Sequence, residues 1–263
     1  MIIFFSKYQA NGNDFVIIDC RNQNFSFTEQ QIQNICNRHF GIGADGVLLL
    51  TTPFNNKYDF EMKFFNPDGS SGMFCGNGGR SAVIFAKDLG IIESECCFIA
   101  PDGEHRAEIK NNQVKISMIN PTHIKKFNDG WFINTGTQHF IRFVSDVNNI
   151  KIIEEGREIR YDTRFEKYKG TNVSFVQCLE NGIKLRTYER GVEDETLSCG
   201  TAVVAASVIY AVKHNLHGQN IKINVSTQGG DLKVFIDKEG DKEITNVFLI
   251  GTTGKVFEGK IVI

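Results

Sequence analysis

Proline is scarce, four in 263 residues, and no Pro/Ser-rich or low-complexity stretch interrupts the chain, which removes a flexible linker between independent domains. Charge of one sign is missing too. Lys and Arg number 29 against 31 Asp and Glu, a formal net charge of -2, so nothing steers the chain toward nucleic acid or acidic membranes. Long apolar runs are absent: the longest, AVVAASVIYAV at 202–212, falls well short of the roughly 20 residues that span a bilayer. The opening MIIFFSK is too short for the apolar core of a signal peptide and has no basic region before it. A soluble, cytoplasmic protein is expected. Zinc-type spacing is lacking as well. There are seven cysteines and no Cys-x-x-Cys pair; an odd count without an export signal predicts reduced thiols, no disulfide framework and no metal. Cys96 and Cys97 lie in CCFIA, which reads as a strand whose successive side chains pack on opposite faces. Hydrophobic residues at 41% and charged residues at 23% suit a globular chain able to bury a core, in one large domain or two small ones.

A dinucleotide fold is excluded by order. GIGADG at 41–46 matches G-x-G-x-x-G, but that fingerprint needs a strand before it and a helix after it. Here the helical stretch TEQQIQNICNRHF precedes and the strand VLLL follows. Thr28 and Gln31 supply a capping box for that helix, so GIGADG is a helix-to-strand turn.

Two cysteines stand out by position. MFCGNGGR at 73–80 runs straight into the apolar SAVIFA, and SCGTAVVAA at 198–206 repeats the arrangement: Cys, Gly, a polar residue, then a helix apolar nearly all round. Helices without a polar face are buried, and both are expected to end on glycine caps, Gly90 and Gly218. The surroundings repeat in the same order. NDFVII (13–18) resembles QHFIRF (138–143), MKFFNPDGS parallels LRTYERGVEDE, and CFIAPDGEHRAEI parallels INVSTQGGDLKVFI. A duplicated half follows. The expected architecture is α+β: two pseudo-symmetric halves, each a mostly antiparallel or mixed sheet wrapped around a central buried helix, with the active site in the cleft between them. The halves are placed at 1–116 and 117–251, with a last strand over 252–263 returning to the first half.

Paired thiols at opposed helix starts suit inversion of a carbon centre, which needs a base on one face and an acid on the other. A thiol, with an unperturbed pKa of about 8.5, is tunable to that task, and a helix N-terminus favours its thiolate. The N–H groups of Gly76, Asn77, Gly200 and Thr201 would bind the α-carboxylate of an amino acid and stabilise the carbanion.

These features, with GNDFVIID (12–19), FNPDGSSGMFCGNGGR (65–80), TGTQHF (135–140), TNVSFV (171–176) and YERGVEDETLSCGT (188–201), resemble the diaminopimelate epimerase family over essentially the whole chain. The resemblance implies a cofactor-independent epimerase of lysine and cell-wall precursor synthesis that interconverts LL- and meso-2,6-diaminopimelate. It implies Cys75 and Cys199 as the acid/base pair and His139 and Glu189 as modulators of the thiols. It further implies Asn13, Asn66, Asn172, Glu189, Arg190 and the helix-start pairs Gly76–Asn77 and Gly200–Thr201 as substrate contacts. No cofactor and no metal are implied. The partner is a small-molecule substrate, with no nucleic acid or membrane, and a homodimer is left open. Departures from the family pattern fall at Thr137 and Gln138 before the histidine, at Gly46, and at Ala202. Rival readings are a racemase of proline, hydroxyproline or histidine, and a thiol redox module.

Overall fold

The computed structural model describes residues 2–22, 25–240 and 243–263. Chain contacts divide it into two units, Met1–Ile116 with Gly251–Ile263, and Ser117–Ile250.

The first unit begins with strands β1 (Ile2–Ala10) and β2 (Asn13–Asp19), joined by Asn11-Gly12. Both turn residues have positive φ, 51° and 81°, the pair of values a two-residue type I′ hairpin requires and the reason Asn-Gly stands there. Helix α1 (Glu29–Cys36) opens on the Thr28–Gln31 capping box and is followed by β3 (Gly46–Thr51), so GIGADG is the turn between them. The helix stops sooner than the apolar pattern suggests. Asn37 Oδ1 accepts from the N–H groups of His39 and Phe40, offering the backbone a local partner that competes with another helical turn.

Strand β3 lies parallel to β2 and antiparallel to β4 (Phe60–Phe65). Its run VLLL is buried throughout, because Val47 and Leu49 pack with Ile32 and Ile35 of α1. Leu48 meets the next helix, α2 (Gly76–Asp88), at Gly78. A strand covered on both faces needs no polar alternation. After α2 come β5 (Glu95–Ala100), β6 (Gly103–Lys110) and β7 (Gln113–Ser117); β5 runs parallel to β4, and the rest pair antiparallel. Cys96 is buried and Cys97 half-buried on alternate sides of β5. The strand Gly254–Val262 pairs antiparallel with β1.

The second unit repeats this order. Strands β8 (Thr122–Phe127) and β9 (Gly130–Asn134) form a hairpin, and β9 pairs antiparallel with β10 (Gln138–Val144). Helix α3 (Ile152–Arg160) leads to β11 (Asn172–Leu179), parallel to β10, and then to β12 (Gly182–Glu189), antiparallel to β11. The short β13 (Asp194–Thr196) is an addition on β12. Helix α4 (Gly200–Lys213) follows, then β14 (Gly218–Thr227), parallel to β12, and the antiparallel β15 (Gly230–Glu239) and β16 (Glu243–Thr252). Strand for strand, β2–α1–β3–β4–α2–β5–β6 matches β10–α3–β11–β12–α4–β14–β15 in order and direction. The duplication read from sequence is therefore a duplication of topology, and the fold is α+β in two pseudo-symmetric halves.

One side of the second sheet packs Phe140, Val173, Phe175 and Tyr188 with Ile152 and Ile159 of α3 and with Phe165. Helix α4 is buried from Gly200 to Ile209 and at Ala211, as its lack of a polar face requires. The helix ends correct one expectation. Gly90 does close α2: its N–H bonds Lys87 O, and that of Ile91 bonds Ala86 O, a Schellman motif. Gly218 does not close α4. Asn215, at φ 51°, holds the left-handed position, with the N–H groups of Asn215 and Leu216 on Val212 O and Ala211 O. Gly218 instead begins β14.

Candidate active site

Each candidate cysteine is the N-cap of its half's buried helix. Cys75 has φ -113° and ψ 118° and accepts from Gly78 N at 3.5 Å; Cys199 has φ -116° and ψ 112°. The two backbones match to within a few degrees. Extended geometry at the cap and helical geometry after it aim the first-turn N–H groups, beginning with Gly76 or Gly200, out along the chain entry, where an anion is favoured.

In the first half the thiol joins a polar set. Cys75 Sγ donates to Asn13 Oδ1 at 3.6 Å, and Asn77 Nδ2 donates to the same oxygen at 3.3 Å. Asn13 is the first residue of β2 after the hairpin turn, so the I′ geometry fixes where its side chain stands. Its amide is oriented by donation from Nδ2 to Asp45 Oδ2 at 2.7 Å. Asp45 and Asp14 are in turn held by Arg38, and Asp14 also by Lys7 at 2.8 Å. Burial by itself would raise the Asp14 carboxyl, but the bonds from Arg38 and Lys7 outweigh it and hold the group near a pKa of about 2. Phe74, immediately before the cysteine, stacks on His105 with ring centres 3.8 Å apart, and His105 bonds Asp102 at 2.9 Å. Asn66 is not part of this set. It opens the Asn66-Pro67-Asp68-Gly69 turn, closed by Gly69 N on Asn66 O, and its side chain donates to Ser70 Oγ at 3.0 Å.

In the second half a hydroxyl cluster surrounds the thiol. Cys199 Sγ lies 3.4 Å from Thr201 Oγ1, which lies 3.1 Å from His139 Nε2. Thr137 Oγ1 meets the same nitrogen at 2.9 Å and accepts from Asn172 Nδ2 at 3.3 Å. His139 is fully buried; burial first, and then the nearby Arg190 cation, push its pKa down to about 3. The imidazole is neutral at physiological pH and touches the thiol's surroundings through hydroxyls. Asn172 Oδ1 accepts from Arg190 N at 2.8 Å, which ties the start of β11 to the residue that follows β12.

Arg190 is half-buried, and its Nη1 donates to Gln138 Oε1 at 3.2 Å and to the carbonyl of Tyr168 at 2.9 Å. Among the described residues no carboxylate lies within ion-pair distance of it. Glu189 is not its partner: the Glu189 carboxylate accepts from Thr196 Oγ1 at 2.9 Å. A guanidinium held by carbonyl oxygens with part of its fork uncommitted suits a carboxylate ligand. Of the residues that the resemblance implies, Asn13 and Asn77 stand with Cys75, and Thr201, His139 and Asn172 with Cys199, while the Asn66 side chain bonds Ser70 and Glu189 bonds Thr196. The sequence pattern missed Arg80, Asp45 and the hub role of Thr137.

A family model for diaminopimelate epimerase matches residues 5–124 and 131–256. The chain belongs to the diaminopimelate epimerase family. It is 42% identical over 258 residues to the diaminopimelate epimerase of Flavobacterium psychrophilum, covering 97% of this chain and 98% of that one. It is 40% identical over 276 residues to that of Aquifex aeolicus, covering 98% and 97%. Among solved structures, a PhzF-family phenazine biosynthesis protein from Bacillus anthracis superposes with a TM-score of 0.76 at 17% identity over 100% of both chains. A hydroxyproline epimerase from Agrobacterium vitis gives 0.74 at 11% over 99% of this chain and 92% of that one. At such identities the likeness concerns the fold. As a member of the diaminopimelate epimerase family the chain is an isomerase acting on a small molecule. Two of its departures from the family pattern acquire physical content. A Cβ at Gly46 would lie 2.4 Å from the Phe64 ring and 2.8 Å from Phe65 O, so Phe64 fills the space a side chain there would take. Gln138 supplies the bond to Arg190 described above.

Proposed function

We propose that this chain interconverts LL- and meso-2,6-diaminopimelate by a two-thiol mechanism. The observation that carries the reading is that the two N-cap cysteines occupy equivalent places in a duplicated topology. One thiolate takes the α-proton as the Cα–H bond breaks, and the electron pair stays on the carbon and its carboxylate. The other thiol then delivers its proton to the opposite face, inverting the centre and exchanging the roles of the two sulfurs. The α-carboxylate sits on the helix-start N–H groups of Gly76–Asn77 and Gly200–Thr201, where developing negative charge is stabilised in place. Asn13 and Asn172 orient the amino-acid head, and Asn66, on its turn after β4, completes the substrate contacts. The distal carboxylate goes to Arg190 and the distal amine to Glu189. His139, neutral, holds the Thr201 hydroxyl against Cys199.

The test is α-proton exchange into deuterated solvent with LL-diaminopimelate, proline and histidine offered separately. Exchange with diaminopimelate alone is expected, and its loss in Cys75→Ala and in Cys199→Ala. Exchange with proline or histidine instead would move the chain to a different substrate. Full epimerisation by either alanine variant would remove the two-thiol mechanism. Retention of activity in reductant separates the reading from a redox module.

A further inference from the structure

Helix α2 buries a cation that the mechanism above does not use. Arg80 is 0% exposed, on a helix whose other buried positions are small or apolar apart from Asn77 and Ser81. Its Nη2 donates to Asn11 Oδ1 at 2.7 Å and to Asn77 Oδ1 at 2.9 Å, and its Nη1 to Gly76 O at 3.3 Å. All are neutral oxygens, and the Nε–H is buried with no acceptor. A guanidinium in a buried site without a carboxylate is costly, and the positive end of α2 makes it costlier. The cost falls if an anion stands close by.

The charged groups around it narrow the choice. Lys7 of β1, Asp14 of β2, Arg38 and Asp45 form a network of two cations and two anions that balances itself. Tyr8 of β1 bonds Asp88 at the far end of α2, and His105 of β6, behind Phe74, is paired with Asp102. Arg80 has no part in either pair. Its link runs through Asn77 to Asn13 Oδ1, which also receives the Cys75 thiol. Burial brings Arg80 down to a pKa of about 10, and the group whose charge draws it back up is Cys75. The corresponding position in α4, five residues after Cys199, is the buried Val204, so the duplication does not repeat the arginine on its second helix.

We propose that Arg80, held in place by Asn11, Asn77 and the Gly76 carbonyl, is a positioning residue that supplies the buried counter-charge for the Cys75 thiolate across space. The inference rests on the two-thiol reading for its purpose but not for its test. With Cys75 as thiolate the guanidinium gains the anion its surroundings lack. With Cys75 protonated, the thiol donates to Asn13 and Arg80 is left with amides and a carbonyl. The guanidinium stands on the helix that Cys75 caps, so its charge bears on the ionisation of that thiol.

The experiment is the pH dependence of iodoacetamide alkylation, read for Cys75 and Cys199 separately by peptide mass spectrometry on the full chain without substrate. In the native protein the Cys75 midpoint is expected below the ordinary thiol value of about 8.5. In Arg80→Gln it rises by one pH unit or more, a tenfold or larger change in the thiolate equilibrium, while the Cys199 midpoint stays. Arg80→Lys, keeping the charge and losing the fork, retains most of the depression. An unchanged Cys75 midpoint in folded Arg80→Gln overturns the proposal. So does a native Cys75 midpoint at or above about 8.5, which needs no variant to fold. Because alkylation does not depend on epimerisation, a protein inactive on diaminopimelate that still shows these shifts would fail the functional reading and keep this one.

Discussion

Acid should destabilise this protein through one histidine. In the unfolded chain His139 protonates near its ordinary value of 6.5, whereas its buried value is about 3. Between those values the unfolded state carries the extra proton, so stability rises with pH and is lost as pH falls from about 6.5 toward 3. Integrating that difference from pH 7 to pH 5 gives about 2 kcal/mol, and to pH 4 about 3 kcal/mol. Carboxylates held low by cations, such as Asp14 and Asp129, lose their contribution at lower pH, so the window from 7 to 5 belongs chiefly to the histidine. His139→Gln removes the titration and keeps a hydrogen-bonding end for the Thr137 and Thr201 hydroxyls. Urea unfolding followed at pH 7 and pH 5 is expected to show the variant losing about 2 kcal/mol less than the parent across that interval, whatever its absolute stability. NMR of the labelled imidazole should find no titration in the folded protein above pH 5. Equal losses in parent and variant, or an imidazole that titrates near 6.5, would refute the reasoning.

Arg190→Lys keeps the charge and loses the fork, and kcat/KM for diaminopimelate should fall by about 100-fold or more, the equivalent of several kcal/mol; unchanged kinetics would take the residue out of the site. Gln138→Ala removes one tie on Arg190 Nη1 and is expected to raise KM several-fold at nearly constant kcat, with no change showing that the tie is idle. Asn215→Val puts a β-branched residue in the left-handed position that closes α4 and should cost about 1–2 kcal/mol in urea unfolding, whereas Asn215→Gly should cost little; equal costs would assign the loss to the side chain and not to the backbone.

Legibility in the sequence followed the physics of each feature. The two Cys-Gly helix starts, the Thr28 capping box and the GIGADG turn depend on residues adjacent in sequence, and all three stand where the pattern puts them. The pseudo-symmetric halves were legible because duplication leaves a repeat of order as well as of residues. The end of α1 was misread because Asn37 competes through its own side chain. Gly218 was misread as a cap because glycine is the usual left-handed residue, while Asn215 does that work three positions earlier. Arg80 was in plain view as the charge in the first half of an otherwise small and apolar stretch of α2; what it touches, Asn11 in the β1–β2 turn and Asn77 one turn back, is a tertiary fact. Thr137 read as a departure from a pattern and became a hub only when β10 brought it beside Thr201.

The pairing of β1 with the strand Gly254–Val262 has a consequence for the order in which the chain is made. Everything from Ser117 to Ile250 is contiguous, so that unit has its full complement of strands before the ribosome has finished. The first unit emerges earlier yet waits longer. Its β1 carries Ile2 and Phe4 on an exposed face and an open row of backbone groups until residues 254–262 arrive, the condition under which a strand edge recruits other chains. β1 is therefore sealed only by a strand made more than 240 residues after it, and a chain lacking Gly254–Val262 would keep the second unit's strands and leave the edge of β1 open to other chains.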